Sequence, residues 1–179
     1  MTDLNGKKIA IIATDHFEEA ELVTPRDELT KAGAEVKVYA PSTDPIQAVE
    51  GDTTPTQKVD VDGTFGDLDV ATVDAVLVPG GTINADHIRT DEDAQEIVRE
   101  AYDADKVVAA ICHGPWLLVN AGLAEGRRLT SYHSLALDLK NAGATWVDEE
   151  VVVDGNLITS RNPDDLPAFV DAITEALAG

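Results

Sequence analysis

Three short stretches of the chain combine residue types that can do chemistry: Asp15 to Glu21, Pro79-Gly80-Gly81, and Cys112-His113-Gly114-Pro115. The last carries the sole cysteine. Cys112 directly follows an apolar run and precedes a helical stretch, with Gly114 close by to allow a tight turn, and a strand-turn-helix of this kind presents a nucleophile at the top of a sheet. A thiol there meets the positive end of a helix dipole and an adjacent backbone N–H. The sequence therefore predicts a reactive thiol titrating below a free cysteine. The competing reading is an inert buried hydrophobe, the commoner fate of a lone cysteine.

Paired glycines after a strand usually mark a simple turn. If the strand before Gly80 neighbours the one before Cys112, however, the Gly81 and His113 amides can converge on one anionic oxygen as an oxyanion hole. His113 adjoins Cys112 in sequence, so its side chain either addresses the sulfur or only orients and packs. Glu21 lies between Ala20 and Leu22-Val23. A carboxyl in that setting can be desolvated, protonated near neutrality and able to donate a hydrogen bond to a thiolate. The alternative is a solvated helix face shared with Glu18 and Glu19.

The elements that must position these groups are legible from the apolar pattern. Lys8 to Ala13 is a continuous apolar run expected of a strand buried on both faces, Glu18 to Ala32 a helix stopped by Gly33, and Glu35 to Ala40 a second strand ended by Pro41. This βαβ opening makes the two strands parallel neighbours. Pro41 to Gly66 is richer in Thr, Asp, Pro and Gly, and its candidate strands at Ile46 to Glu50 and Thr56 to Val61 predict a small antiparallel appendage. Further strands are predicted at Ala75 to Val78, Lys106 to Ile111 and Arg128 to Ser131. Helices are predicted at Asp91 to Ala104, Gly114 to Ala121, His133 to Ala142 and Asp164 to Ala178. A hairpin turns about Asp154-Gly155-Asn156. The alternation predicts an α/β fold, doubly wound and mostly parallel with flanking helices, as one domain over residues 1–179. Ligands of such sheets bind at the carboxyl ends of the strands, where all three stretches fall.

Composition excludes several function classes. With 34 Asp plus Glu against 13 Lys plus Arg, the formal net charge is −21, which repels nucleic acid and anionic lipid. One cysteine rules out an internal disulfide framework, and four scattered histidines at no paired spacing argue against a metal site. The apolar stretches are too short to span a bilayer and the first residues lack a signal-peptide layout, so a cytoplasmic location is expected. The acid excess is spread along the chain, with few lysines, as on a halophile-type surface; an ordinary acidic cytoplasmic protein is the alternative. Under the halophilic reading the melting temperature rises between low and molar KCl, because molar salt shortens the screening length to ~3 Å. A flat melting temperature across that series would remove the reading.

Taken together, the motifs resemble the DJ-1/PfpI superfamily, specifically its PfpI-like intracellular protease branch with a class I glutamine-amidotransferase-like, flavodoxin-like fold. The resemblance runs through Phe17 to Leu22 (F-E-E-A-E-L), Val78 to Gly81 (V-P-G-G), Ala110 to Pro115 (A-I-C-H-G-P) and the block Glu150 to Phe169. It implies Cys112 as nucleophile, Glu21 as the acid contacting it, and Gly81 with His113 as oxyanion-hole amides. It also implies a triad of Cys112 and His113 with an acid from a neighbouring subunit, at the position of Asp86, and Tyr132 as an aromatic near the substrate pocket. A homo-oligomer follows, with no cofactor. The implied activities are a glyoxalase or deglycase acting on a small reactive carbonyl or a glycated protein or peptide, an intracellular cysteine peptidase, and a non-enzymatic redox sensor or chaperone. No separate histidine matches that of glutamine amidotransferases, which argues against ammonia release.

Overall fold

The computed structural model describes residues 3–179. Among the described residues twelve strands and six α-helices follow one another: β1 Lys8–Ile12, β2 Phe17–Glu18, α1 Glu19–Lys31, β3 Glu35–Ala40, β4 Ile46–Glu50, β5 Thr54–Val59, β6 Gly63–Thr64, β7 Ala75–Val78, α2 Thr82–Ile88, α3 Glu92–Asp103, β8 Val107–Ile111, α4 Pro115–Asn120, β9 Arg128–Leu129, α5 Ala136–Asn141, β10 Thr145–Trp146, β11 Val151–Asp154, β12 Leu157–Ser160 and α6 Leu166–Ala178. The main sheet has seven strands in the order β11-β12-β8-β7-β1-β3-β6. All of its pairings are parallel except the β11–β12 hairpin.

Alternate residues of the central strands face opposite layers, as the period of two in a strand requires. Ile9, Ile11 and Ile111 join Leu22, Leu29, Phe169 and Ile173 in a core under α1 and α6. Ala10, Ile12, Val76 and Val78 join Ile97, Val98, Leu117 and Leu118 under α3 and α4. Burial on both faces explains why β1, β7 and β8 read as unbroken apolar runs. Among the described residues, no helix is long and apolar enough to cross a membrane.

Two expectations are corrected. Arg128 to Ser131 does not join the main sheet: only β9 is a strand, paired with β10 in a separate two-stranded sheet. Beyond it the Thr130 amide donates to the Thr159 hydroxyl at 3.0 Å, so a side chain takes the place of a ladder partner. The appendage is not purely antiparallel either. β4 and β5 form the antiparallel pair, but β2 adds to β4 in parallel and ties the appendage to the start of α1.

Candidate active site

β1, β7 and β8 lie side by side, so the turns that follow them meet at the carboxyl edge of the sheet. Cys112 comes immediately after β8 with φ 63, a left-handed conformation that a non-glycine residue rarely adopts. Tertiary hydrogen bonds hold it there: the Cys112 amide donates to the Ser160 carbonyl at 3.0 Å, and the Tyr132 amide donates to the Cys112 carbonyl at 2.8 Å. Gly114 lets the turn close, since a Cβ at that position would stand 2.8 Å from the Val78 carbonyl oxygen and 2.9 Å from that of Ile111.

The Pro79-Gly80-Gly81 turn packs against this corner. A Cβ on Gly80 would lie 2.3 Å from Glu21 Oε2, 2.6 Å from Cys112 Cβ and 3.1 Å from Cys112 Sγ. The glycine thus leaves room for the carboxyl and the thiol to meet. Asn84, buried on α2, fixes the turn by donating to the Pro79 and Gly80 carbonyls at 3.1 and 2.9 Å and by accepting from the Thr14 amide at 2.7 Å. The sequence reading passed over Asn84, and over α2 as a whole, because the segment is short and lacks a clear apolar period.

Glu21 is only 2% exposed, with Oε2 accepting from the Gly80 amide at 2.7 Å. Burial is the main cause that pushes its pKa up to about 8, so it is a neutral acid at pH 7 and lies against the Cys112 sulfur. Its Oε1 has no partner. Its burial excludes the alternative of a solvated face shared with Glu18 and Glu19, which are half-exposed. Glu18 accepts from the Gly51 and Asp52 amides at 3.0 and 3.1 Å, and Glu19 from the Gln57 amide at 3.5 Å.

The thiol's ionisation runs against the sequence expectation. Cys112 is 7% exposed, and burial, with the Glu21 carboxyl beside it, pushes its pKa above the ordinary thiol value. The Gly81 and His113 backbone N–H groups, which reach the sulfur, pull the other way but do not prevail. The helix contributes little, because α4 has six residues and begins three positions beyond Cys112. The thiol therefore needs a base. His113 is 5% exposed, its Nδ1 lies 3.2 Å from Cys112 Sγ, and burial lowers its pKa.

Tyr132 stacks on the His113 ring at 4.8 Å and 25°, and Trp116 meets the same ring edge-on at 5.5 Å. Asp86 is not part of this assembly within one chain. Its carboxylate is exposed on α2 and pairs with Arg89 at 2.9 Å, an arrangement worth little in solvent.

A cysteine on a left-handed corner, a buried carboxyl and the Gly80-Gly81 turn thus meet at the edge of a doubly wound, mostly parallel sheet of the class I glutamine-amidotransferase-like fold. The chain belongs to the DJ-1/PfpI family, which matches residues 7–176. It is 42% identical over 166 residues to "Protein/nucleic acid deglycase 2" of Escherichia coli K12, covering 92% of this chain and 94% of that protein. It is 38% identical over 170 residues to "Deglycase PfpI" of Pyrococcus furiosus, covering 95% and 99%. A crystal structure from Anabaena variabilis with DJ-1/ThiJ/PfpI-like and ferritin-like domains superposes with a TM-score of 0.89 at 37% identity. That match covers 96% of this chain and 48% of the other, so this chain spans about half of that two-domain protein.

Proposed function

We propose that the protein is a cysteine-dependent, cofactor-free deglycase or glyoxalase, acting on small reactive carbonyls and on their adducts with thiols and amines. The observation that carries this reading is Cys112 Sγ lying 3.2 Å from His113 Nδ1, against the neutral Glu21 acid and the two amides. The deglycase names of relatives matched over nearly their full length point the same way.

The chemistry follows from these groups. Sγ attacks the aldehyde carbon of a dicarbonyl, its proton passes to His113 Nδ1, and the carbonyl π pair moves onto oxygen. The Gly81 and His113 N–H groups receive that oxygen. Proton transfer from the attacked carbon to its neighbour, relayed by Glu21 or His113, converts the hemithioacetal into a thioester. Water then hydrolyses the thioester to a 2-hydroxy acid and restores the thiol, so the net change is addition of one water. With a glycated substrate the adduct hydroxyl first re-forms the carbonyl as the C–S or C–N bond breaks, its proton leaving with the freed thiol or amine, and the same attack follows.

A peptidase would bring an extended chain to the sulfur and protonate an amine leaving group. The 7% exposure of Cys112 favours a small carbonyl instead. Asp86 contributes only if a second copy carries it to His113. Turnover of methylglyoxal, a glycated thiol and an unstructured peptide, compared between wild type and Cys112→Ala in molar salt, tests the reading. Carbonyl turnover is expected in the wild type and should disappear in the variant. Peptide cleavage without carbonyl turnover would replace the reading with the peptidase, and carbonyl turnover retained by Cys112→Ala would remove the nucleophile.

A further inference from the structure

Asp52 sits at the tip of the β4–β5 hairpin, in the appendage rather than in the main sheet. Its backbone is left-handed, φ 67, and the Glu18 carboxylate holds the turn through the Gly51 and Asp52 amides. The Asp52 side chain reaches across to the first residue of α2. There the Thr82 amide donates to Oδ1 at 2.8 Å and the Thr82 hydroxyl donates to Oδ2 at 2.9 Å. The same hydroxyl oxygen lies 3.4 Å from His113 Nε2.

We infer that Asp52 is a positioning residue for the reaction at Cys112, acting through the Thr82 hydroxyl to set the tautomer of His113 and to support its positive charge. This deepens the reading of Cys112 and His113 as the reacting pair and rests on it. An ionised carboxylate only accepts, so the Thr82 hydroxyl hydrogen is committed to Asp52 and its lone pairs face the imidazole. Nε2 must then present N–H. In a neutral imidazole that leaves Nδ1 bare, and Nδ1 is the nitrogen 3.2 Å from Cys112 Sγ. The thiol proton moves from Sγ to Nδ1, and the imidazolium that forms is stabilised by the Asp52 charge without passing a proton to it. The distance of 3.4 Å is long for a hydrogen bond, as catalytic contacts often are before substrate binds.

The other groups around His113 do not replace this one. Ser134 Oγ is also 3.4 Å from Nε2 but is exposed and carries no charge, and Tyr132 and Trp116 offer ring faces and edges. Burial is the main cause that lowers the His113 pKa; Asp52 raises it, and His133, tilted against the Tyr132 ring, lowers it further. Glu21 lies against the sulfur, with its Oε2 accepting from the Gly80 amide at 2.7 Å. The acid that a triad requires is thus supplied within one chain, and the appendage serves to deliver it.

The test is Asp52→Asn, which keeps an acceptor for the Thr82 amide and tolerates the left-handed backbone. Thr82→Val and Thr82→Ser accompany it. The His113 ring is titrated by NMR, and Cys112 alkylation by iodoacetamide is followed against pH. We expect Asp52→Asn and Thr82→Val to lower the His113 pKa by about half a unit or more and to slow alkylation at neutral pH several-fold, with Thr82→Ser restoring the His113 titration. A His113 titration unchanged in Asp52→Asn overturns the inference, including the case in which turnover falls. Neither readout needs a substrate, so failure of the deglycase reading would show separately, as an absence of carbonyl turnover in the wild type.

Discussion

Replacing Glu21 by Gln is expected to cut carbonyl turnover by roughly a hundred- to ten-thousand-fold, the range of a lost acid–base group, while the fold persists. The amide can still accept from the Gly80 N–H, bonded at 2.7 Å in the wild type, and can still donate toward the sulfur, so packing is retained. What it cannot do is give up a proton and take it back. The pH dependence has a definite sign. The folded protein holds the Glu21 proton up to about pH 8, against an ordinary value of 4.5. The native state then binds more protons than the unfolded chain between those values, and its stability falls as pH rises through that window. Below the window the contribution is fully present, and above it no further slope arises from this group. Glu21→Gln carries no such proton, so its melting temperature should gain on wild type from pH 5 to pH 8. Equal turnover in the two proteins, or parallel melting curves across that range, would assign Glu21 a packing role only.

Gly80→Ala should be nearly as damaging, for a steric reason. The added methyl would fall 2.3 Å from Glu21 Oε2 and 2.6 Å from Cys112 Cβ, closer than real side chains approach. Glu21 is buried on α1, and Cys112, after β8, is packed in the core under α1 and α6, so neither can withdraw cheaply. Overpacking of this kind costs about 1–3 kcal/mol. Turnover should fall further than stability, because relief of the clash separates the carboxyl from the thiol. Gly66→Ala is the control: its Cβ would meet only Thr64 Oγ1 at 3.8 Å, and both readouts should stay near wild type. Melting curves and turnover of the two variants, measured side by side, check the contrast. A Gly80→Ala protein as active as Gly66→Ala would mean that the Glu21–Cys112 contact is dispensable.

Much of the architecture is written locally. β7 and β8 are apolar throughout, and β1 is so after Lys8, because both of their faces are covered, and that pattern points to a doubly wound parallel sheet. Cys112 and Gly80-Gly81 announce themselves by standing directly after such strands, and the motifs shared with the DJ-1/PfpI family carry the rest of that assignment. The sequence determined which strand ends bring Glu21, the Gly80-Gly81 turn and Cys112 together. It could not determine the protonation of the groups there, which depends on what surrounds them. Glu21 is a neutral acid because α1 buries it against the Gly80 turn, and the Cys112 thiol is raised rather than lowered because burial and a neighbouring carboxyl outweigh a short helix. Nor did any local pattern mark Asp52, an acidic residue among 34 in a segment rich in Thr, Asp, Pro and Gly. Only the long-range pairing of β2 with β4, and of Asp52 with Thr82 thirty residues away, brings that carboxylate to the histidine.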